Sequence, residues 1–310
     1  MPHENDSTAM TDAALSRRRF TGAATQVGTE VSINFGSSLA GLVIPVVGSF
    51  VVVAVRQLVM LVVVLPIYRP KRAELTWARL WPALALGVVL AVMNVSFYEA
   101  VHLIGLGTAA TIEFLGPLAI ALATSRRWLD AVCAVAGGLG VVLLIAPGTS
   151  DAAAIDPWGV ALALTSAATW AMYILLTRRV AVGLPGLEGV TVASIVSLVL
   201  LVPFAIATFD ASALDWTVVL LLLGVGVLSS ALPYSLDTFI LRRIPPRLYS
   251  IITSFGPVIA AIFGWLVLAE TFTLVEVLAI AIVCGAAGTA VATQRDRPKS
   301  DLEQTAEGMA

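Results

Sequence analysis

Charged residues are scarce in this sequence, and their scarcity indicates the class of protein. Only 12% of the 310 residues are Asp, Glu, Lys or Arg, whereas a soluble domain contains about 25%. Hydrophobic residues make up 59% of the chain. A soluble core could not bury that much apolar surface. The sequence therefore predicts an integral membrane protein whose principal partner is the lipid bilayer.

Histidine and cysteine are also rare, with two residues of each type. Cys133 and Cys284 both lie in apolar runs and have no second cluster of ligand-type residues, so we expect no disulfide, no metal site and no cofactor. The chain has no Gly-x-Ser-x-Gly elbow and no Walker loop, and it lacks a basic face beyond its short loops. We therefore predict neither an enzyme, nor an ATP-driven machine, nor a nucleic-acid partner.

Ten apolar blocks account for most of the sequence. Each has roughly 17–25 residues, enough to cross about 30 Å of hydrocarbon as a helix. We predict an all-α integral membrane protein with ten transmembrane helices, a disordered cytoplasmic tail over residues 1–28 and a second cytoplasmic tail over 294–310. The blocks lie at about 29–48, 50–67, 80–101, 106–124, 129–146, 157–177, 187–208, 216–238, 247–268 and 273–292.

The positive charges follow a sided pattern. Of the 18 Lys and Arg residues, 17 lie in the tails or in every second gap between the blocks. Lys and Arg are retained at the cytoplasmic ends of membrane helices. With an even number of spans, both termini are therefore predicted to lie in the cytoplasm, in a multi-pass protein of the inner (plasma) membrane. Arg56 is the exception, because it lies inside an apolar block, where a cation costs about 2.5–3.5 kcal/mol on insertion scales.

An internal repeat divides the chain into two halves. The segment 113–121 resembles the segment 253–261; their sequences are EFLGPLAIA and TSFGPVIAA, and they start 140 residues apart. We predict five-helix repeats over 29–146 and 157–293. Because five is an odd number, the second repeat is inverted in the membrane. Inverted repeats are typical of carriers that open alternately to either side.

Both copies of the repeat contain a Gly-Pro pair inside an apolar block. Gly116-Pro117 and Gly256-Pro257 predict helix kinks near the middle of the membrane, because proline removes a backbone hydrogen bond. A kinked helix of this kind frees a carbonyl group for a site. A passive kink without a site is the alternative.

Few polar side chains lie inside the blocks, and these are the candidates for a site. An ionisable group at that depth is a functional hypothesis by default. The predicted substrate-binding residues are Asn34, Arg56, Asn94, Tyr98, Glu113, Trp170, Tyr173 and Tyr234.

Glu113 is the leading candidate, since it lies one turn before the first Gly-Pro pair. Removal from water favours a protonated carboxyl group. Glu113 is therefore expected to bind the ammonium group of a substrate or to exchange a proton for substrate. The alternative is a structural carboxyl group, either protonated or paired with arginine.

Arg56 and Glu99 both lie near the predicted outer face. Arg56 is expected to hold a substrate carboxylate bidentately, to pair with Glu99 or to extend outward to the interface. Adding the repeat offset of 140 residues to position 99 gives position 239, which is two residues from Asp237. Glu99 and Asp237 are therefore predicted as gating or proton-coupling residues related by the repeat, with carboxylates at the membrane interface as the alternative.

Four motifs resemble those of the threonine/homoserine exporter family, within the EamA-type drug/metabolite transporter superfamily. They occupy residues 111–119 with 125–127, 170–175, 231–237 and 268–271. The resemblance covers residues 29–293 and implies two inverted five-helix halves around a central cavity. It implies export of small amino acids or related metabolites by alternating access, and Arg56, Glu113, Trp170, Tyr173 and Tyr234 fall on matching positions.

Two positions depart from the family pattern. Gly256 stands where the family often has Glu before the proline, and Asp237 replaces a usual Glu. One intramembrane carboxyl group is thus missing from the second half, which leaves proton coupling and the substrate open. The competing interpretations are an uncoupled facilitator, a broad-specificity efflux carrier for drugs and a membrane scaffold that transports nothing.

Overall fold

The chain is built from helices joined by short connections. The computed structural model describes residues 3–66, 76–123, 128–145, 155–184 and 188–293, and this part of the chain contains no strand. The basic residues at 69–72 and 126–127 and the C-terminal tail 294–310 lie outside the described residues. The helices are α1 His3–Val47, α2 Ser49–Val64, α3 Trp77–Ile104, α4 Leu106–Glu113, α5 Leu115–Ala123, α6 Trp128–Ile145, α7 Pro157–Gly183, α8 Glu188–Thr208, α9 Trp216–Gly226, α10 Leu232–Leu241, α11 Pro246–Thr253, α12 Gly256–Leu268 and α13 Leu274–Thr293.

Eight helical segments of the described chain are long and apolar enough to cross a membrane. Ser49–Val64 and Leu106–Ile120 are apolar but shorter. The protein is therefore an all-helical, multi-pass membrane protein. The eight segments are Arg17–Val47, Trp77–Ile104, Trp128–Ile145, Pro157–Gly183, Glu188–Thr208, Trp216–Leu236, Arg247–Leu268 and Leu274–Thr293.

The outer surface is rich in large apolar side chains. Trp77, Trp128 and Trp216 are the first residues of α3, α6 and α9, and all three are highly exposed. Tryptophan is enriched where membrane helices meet the interface with water. Val62 and Leu220 are exposed within their helices, α2 and α9. This surface suits contact with lipid rather than with water.

The first helix differs from the expectation of a disordered tail over 1–28. α1 begins at His3, and Arg18 Nη2 donates a hydrogen bond to the Arg242 carbonyl at 3.0 Å. A Cβ atom at Gly22 would lie 2.7 Å from the Arg243 Cβ. The N-terminal segment is thus packed against the end of α10. This contact spans more than 200 residues of sequence, and local composition does not reveal it.

Acidic residues in the gaps without Lys or Arg cap the following helices. The Asp156 carboxylate accepts a hydrogen bond from the Trp158 N–H at 2.8 Å, and Asp215 accepts one from Val218 N–H at 2.7 Å. Thr273 and Glu276 form a reciprocal capping box at the start of α13. These carboxylates satisfy backbone donors that a helix start leaves without a partner.

A more distant carboxylate caps α4. Glu270, in the connection between α12 and α13, accepts hydrogen bonds from Leu106 N–H through Oε1 and from Gly107 N–H through Oε2, the latter at 3.2 Å. Gly105 precedes α4 with φ of 81°, which glycine adopts without a steric penalty. Burial raises the pKa of Glu270, and the two backbone hydrogen bonds offset part of that rise.

Two helix breaks lie beside the Gly-Pro pairs. α4 ends at Glu113 and α11 ends at Thr253, the two positions related by the repeat offset. Pro117 and Pro257 follow four residues later and have no N–H group. The carbonyl groups of Glu113 and Thr253 therefore lack their usual helical donor.

Gly116 also has a packing role. A side chain at this position would collide with the Ala167 carbonyl group of α7. Glycine thus permits the backbones of α5 and α7 to approach closely, as small residues commonly do between membrane helices.

Three groups of buried apolar side chains surround the middle of the bundle. One lies mainly among α4, α5, α6, α12 and α13, a second among α1, α2, α3, α8 and α9, and a third among α3, α7 and α8. The most extensive helix pairs are α3 with α7 and α8, α6 with α13, and α2 with α8.

Replacing Glu270 with alanine removes the acceptor for both N–H groups at the start of α4. We expect this variant to lose about 1–2 kcal/mol of stability, measured as a lower thermal unfolding midpoint of the purified protein in detergent. Asp210→Ala is the matched control, because Asp210 caps only the exposed 3₁₀ turn Ala211–Ala213. Equal midpoints for the two variants would contradict the role of Glu270 as a cap.

Candidate functional site

A cavity of about 250 Å³ lies between α1, α2, α3, α4, α7, the π-helical turn Val227–Ala231, α10, α11 and α12. Its described lining includes two carboxyl groups, those of Glu30 and Glu113, and one guanidinium group, that of Arg56. Amide, hydroxyl and aromatic side chains complete the wall. The polar groups of the apolar helices thus converge on one cavity, as expected for a small-molecule site.

The cavity brings together seven of the eight predicted substrate-binding residues: Asn34, Arg56, Asn94, Glu113, Trp170, Tyr173 and Tyr234. The eighth, Tyr98, is fully buried and contacts Arg56 instead of lining the cavity. Of the predicted kink residues, Gly256 and Pro257 line the cavity, whereas Gly116 and Pro117 are not among its lining residues.

Of the two predicted gating carboxylates, Glu99 is not among the described residues that line the cavity. Glu99 accepts a hydrogen bond from the Ser49 hydroxyl group at the start of α2, which links α3 to α2. Asp237 belongs to α10, but its side chain lies outside the described residues. A gating role for this pair stays a prediction.

Sequence reasoning missed several lining residues. Glu30 is one of them: it lies inside the first apolar block and is therefore marked as an ionisable residue at depth, but it is not among the predicted substrate-binding residues. The hydroxyl residues give no such signal, since Ser and Thr occur throughout the apolar helices. The omitted polar residues are Thr29, Glu30, Ser37, Ser229, Tyr249 and Thr253.

Arg56 is held by hydrogen bonds from both sides of the cavity. Nε donates to the Ser230 hydroxyl group, and Nη2 donates to the Ser229 carbonyl group at 2.9 Å. Nη1 donates to Asn94 Oδ1 and, at 3.3 Å, to the Tyr98 hydroxyl group. The guanidinium group also lies over the Tyr98 ring, 5.7 Å from its centroid. Four hydrogen bonds therefore link α2 to α3 and to the π-helical turn.

The π-helical turn explains why carbonyl groups are available there. Pro233 lies four residues after Ser229 and cannot donate to its carbonyl group, which accepts from Arg56 instead. The neighbouring Leu228 carbonyl group accepts from the Ser32 hydroxyl group of α1 at 2.7 Å. Short π-helical turns occur frequently at functional sites because they redirect backbone groups in this way.

These contacts change the interpretation of Arg56. Among the described residues Arg56 forms no ion pair with Glu99; its hydrogen-bond acceptors are neutral. A guanidinium group has five N–H donors, and four of them are used. A bidentate contact with a substrate carboxylate would break one of these bonds. Arg56 can therefore offer a carboxylate its positive charge and a single further donor.

Glu113 belongs to a chain of hydrogen bonds across three helices. Its Oε1 atom is hydrogen-bonded to the Ser166 hydroxyl group of α7, which also lies 3.0 Å from the Met93 carbonyl group of α3. A hydroxyl group has one proton to donate. If Ser166 donates it to Met93, the bond to Glu113 requires a proton on the carboxyl group. An ionised Glu113 would draw the Ser166 proton away from Met93.

Glu30 is held in a different manner. Its Oε1 atom accepts a hydrogen bond from Gln26 Nε2 at 3.0 Å, and the same amide group donates to the Thr253 hydroxyl group at 3.2 Å. Asn34 Nδ2 donates to the Glu30 carbonyl group at 2.9 Å. This arrangement joins α1 to the broken end of α11.

A central polar cavity inside a bundle of membrane helices, with groups of both charges on its wall, defines a multi-pass membrane transporter. Comparison with known proteins gives the family. Residues 157–293 match the EamA-like transporter family. The chain is 35% identical over 273 residues to the threonine/homoserine exporter RhtA of Escherichia coli (strain K12), a match that covers 88% of this chain and 92% of that protein.

The same exporter from Salmonella typhimurium (strain LT2) is 35% identical over 266 residues, covering 86% of this chain and 90% of that protein. The chain therefore belongs to the EamA-like transporter family, as the motifs indicated. A solved crystal structure with 19% identity covers 91% of this chain and 96% of that chain with a TM-score of 0.56, which supports the fold alone.

Arg56→Lys keeps the positive charge but loses the planar set of donors that reaches Ser229, Ser230, Asn94 and Tyr98. We expect a lower thermal midpoint in detergent, equivalent to about 1–3 kcal/mol, because buried acceptors lose their donor. Glu99→Gln is the control and should change the midpoint little, since glutamine still accepts from Ser49. Equal losses in both variants would support an Arg56–Glu99 pair instead.

Proposed function

We propose that this protein exports a small amino acid, such as threonine or homoserine, or a related metabolite, by alternating access. The observation that carries the proposal is a cavity between the helices with a guanidinium group and two carboxyl groups on its wall. An amino acid has both a carboxylate and an ammonium group, and each of them finds an opposite charge there. The identity to the threonine/homoserine exporters supports the same substrate class.

The cavity volume favours a small metabolite over a hydrophobic drug. At about 250 Å³, it lies below the range of about 300–1,000 Å³ that is usual for pockets binding drug-sized ligands. Most of the polar lining would also be left unpaired by an apolar drug, at a cost in affinity. These two features make drug efflux the weaker alternative.

Ten crossing segments fit the helices if α4–α5, α9–α10 and α11–α12 each count as one broken helix. The packing supports two related halves, 29–146 and 157–293. α4 and α5 pack on α7, and their counterparts α11 and α12 pack on α1; α3 packs on α8, and its counterpart α9 packs on α2. We propose that the halves are inverted in the inner membrane, with both termini in the cytoplasm.

Proton coupling is a further part of the proposal. The hydroxyl group of Ser166 can satisfy Met93 or an ionised Glu113, but it has one proton for the two. Protonation of Glu113 would thus change which helices are joined by hydrogen bonds around the cavity. A change in contacts between two states is what a coupling ion must produce to drive alternating access.

The orientation can be tested with single cysteines in a Cys133→Ser/Cys284→Ser background. Asp210→Cys and Arg179→Cys both introduce a thiol at an exposed position. We expect a membrane-impermeant maleimide to label residue 210 in intact spheroplasts and residue 179 only after permeabilisation. The reverse labelling pattern would contradict cytoplasmic termini.

Transport can be tested in everted membrane vesicles, where export appears as uptake. We expect L-threonine or L-homoserine to accumulate, and an acidic vesicle interior to increase the rate. Glu113→Gln should abolish the response to the pH gradient, because glutamine cannot exchange a proton. If Glu113→Gln leaves both gradient-driven flux and substrate-induced proton movement unchanged, Glu113 has no coupling role. Flux equal to that of vesicles without the protein, for both amino acids, would contradict the proposed substrates.

A further inference from the structure

We infer that Glu30, and not Glu113, is the ionised carboxylate that receives the ammonium group of the substrate. The inference rests on the proposed function, since it requires a substrate with an ammonium group. It assigns separate roles to two carboxyl groups that share one cavity, with Glu113 as the group that holds a proton.

The position of Glu30 places a carboxylate beside open space. Glu30 lines the cavity from α1 and is only 6% exposed. A Cβ atom built at Gly256 would lie 3.7 Å from Glu30 Oε2, and no other described heavy atom outside the local chain lies within 4 Å of it. The absent side chain of Gly256 therefore leaves room for a ligand group next to this carboxylate.

The hydrogen bonds of Gln26 favour an ionised Glu30. Gln26 is fully buried, and its Nε2 atom donates to Glu30 Oε1. Its own Oε1 atom has no hydrogen-bond partner among the described residues, and a buried acceptor without a partner destabilises the folded protein. The Gln26 amide group is thus oriented so that Nε2 donates to the Glu30 carboxylate, while Oε1 receives no hydrogen bond from the described residues. A donor of this kind stabilises the charged form of a carboxyl group.

Glu113 has the opposite hydrogen-bond demand. The hydroxyl group of Ser166 has one proton for two acceptors, the Met93 carbonyl group at 3.0 Å and Glu113 Oε1. Both contacts are satisfied at once only when Glu113 carries a proton and donates it to Ser166. Paired carboxyl groups with opposite proton requirements commonly divide the work of a site, one as the charge and the other as the proton carrier. The cavity thus provides an anion at Glu30 and a proton at Glu113.

Thr253 adds a second acceptor near Glu30. It lines the cavity, shares the Gln26 amide group with Glu30, and its carbonyl group lacks a helical donor because Pro257 follows four residues later. An ammonium group has three N–H donors and needs several acceptors once it leaves water. Carbonyl groups freed by broken membrane helices serve as cation ligands in other transporters.

The geometry also allows a carboxylate at residue 256 to replace the carboxylate of Glu30. A Glu side chain at residue 256 would start 3.7 Å from Glu30 Oε2, and its own carboxylate lies two bonds beyond Cβ. It can therefore occupy the region that Glu30 occupies. With Glu30 present, the two like charges would repel; with Glu30 neutralised, the second carboxylate would replace the first.

The test measures L-threonine and L-homoserine uptake into everted vesicles containing the full-length protein. Glu30→Gln should lower the flux about tenfold or more, because an unpaired buried ammonium group is costly. Gly256→Glu alone should also lower it. The double variant Glu30→Gln/Gly256→Glu should recover most of the wild-type rate, which a merely structural role for Glu30 would not produce.

A competition experiment reports on the ammonium group itself. The probe is 3-hydroxybutyrate, which resembles threonine but lacks the ammonium group. We expect it to compete poorly with threonine in the wild type. In Glu30→Gln the ratio between the two inhibition constants should fall about tenfold. An unchanged ratio would place the ammonium group elsewhere.

The remaining outcomes are decisive in the same way. Wild-type flux in Glu30→Gln, or failure of Gly256→Glu to rescue it, would overturn the inference while leaving the proposed function intact. An absence of threonine and homoserine flux in the wild type would instead contradict the proposed function itself. If Glu30→Gln does not fold, Gly256→Glu in the wild-type background decides, since an undiminished flux would show that a second carboxylate there disturbs no ammonium site.

Discussion

The structure depends on the confinement of one positive charge. Arg56 lies in α2, whose only other polar residues are Ser49 and Gln57. The Arg56 guanidinium group donates hydrogen bonds to four acceptors on two other elements, α3 and the π-helical turn. A cation at that depth is tolerated only if such groups replace its hydration. The requirement accounts for the buried hydroxyl group of Tyr98, the fixed amide of Asn94 and the carbonyl group that Pro233 releases. The cavity forms where these groups converge, because they cannot pack as apolar side chains do.

The negative charges are arranged on a different principle. No described carboxylate pairs with Arg56; Glu30 and Glu113 each have a neutral neighbour, an amide group in one case and a hydroxyl group in the other. Paired charges would neutralise one another and leave little affinity for a zwitterion. A carboxylate that accepts a hydrogen bond from a neutral donor, as Glu30 does from Gln26, keeps its attraction for a cationic group of a ligand. The difference between an amide donor and a hydroxyl group shared with Met93 is what separates the roles proposed for the two carboxyl groups.

The carboxylates outside the membrane core serve the helices. Asp156, Asp215 and Glu270 accept hydrogen bonds from N–H groups in the first turns of α7, α9 and α4, and Glu276 accepts one from Thr273, the residue before α13. Glu270 differs from the other three because the helix it caps is distant in sequence: it accepts from Leu106, 164 residues away. The family motif that contains Glu270 thus has a structural explanation at the start of α4.

Hydropathy, charge sidedness and the repeated Gly-Pro pairs are properties of the sequence itself, and by themselves they determined the membrane class, the helical fold and most of the polar residues around the cavity. They succeed because the bilayer imposes a length and a polarity on each segment independently of the others. The partners of the polar groups were decided only by the tertiary structure. Arg56 meets Ser230 across 174 residues and Gln26 meets Thr253 across 227, and a few ångströms distinguish a hydrogen bond from none. For the same reason the sequence left three alternatives open for Arg56, with Glu99 as its partner in only one of them, and did not place Glu30 among the substrate-binding residues: no local pattern records which helices become neighbours or which way a side chain faces.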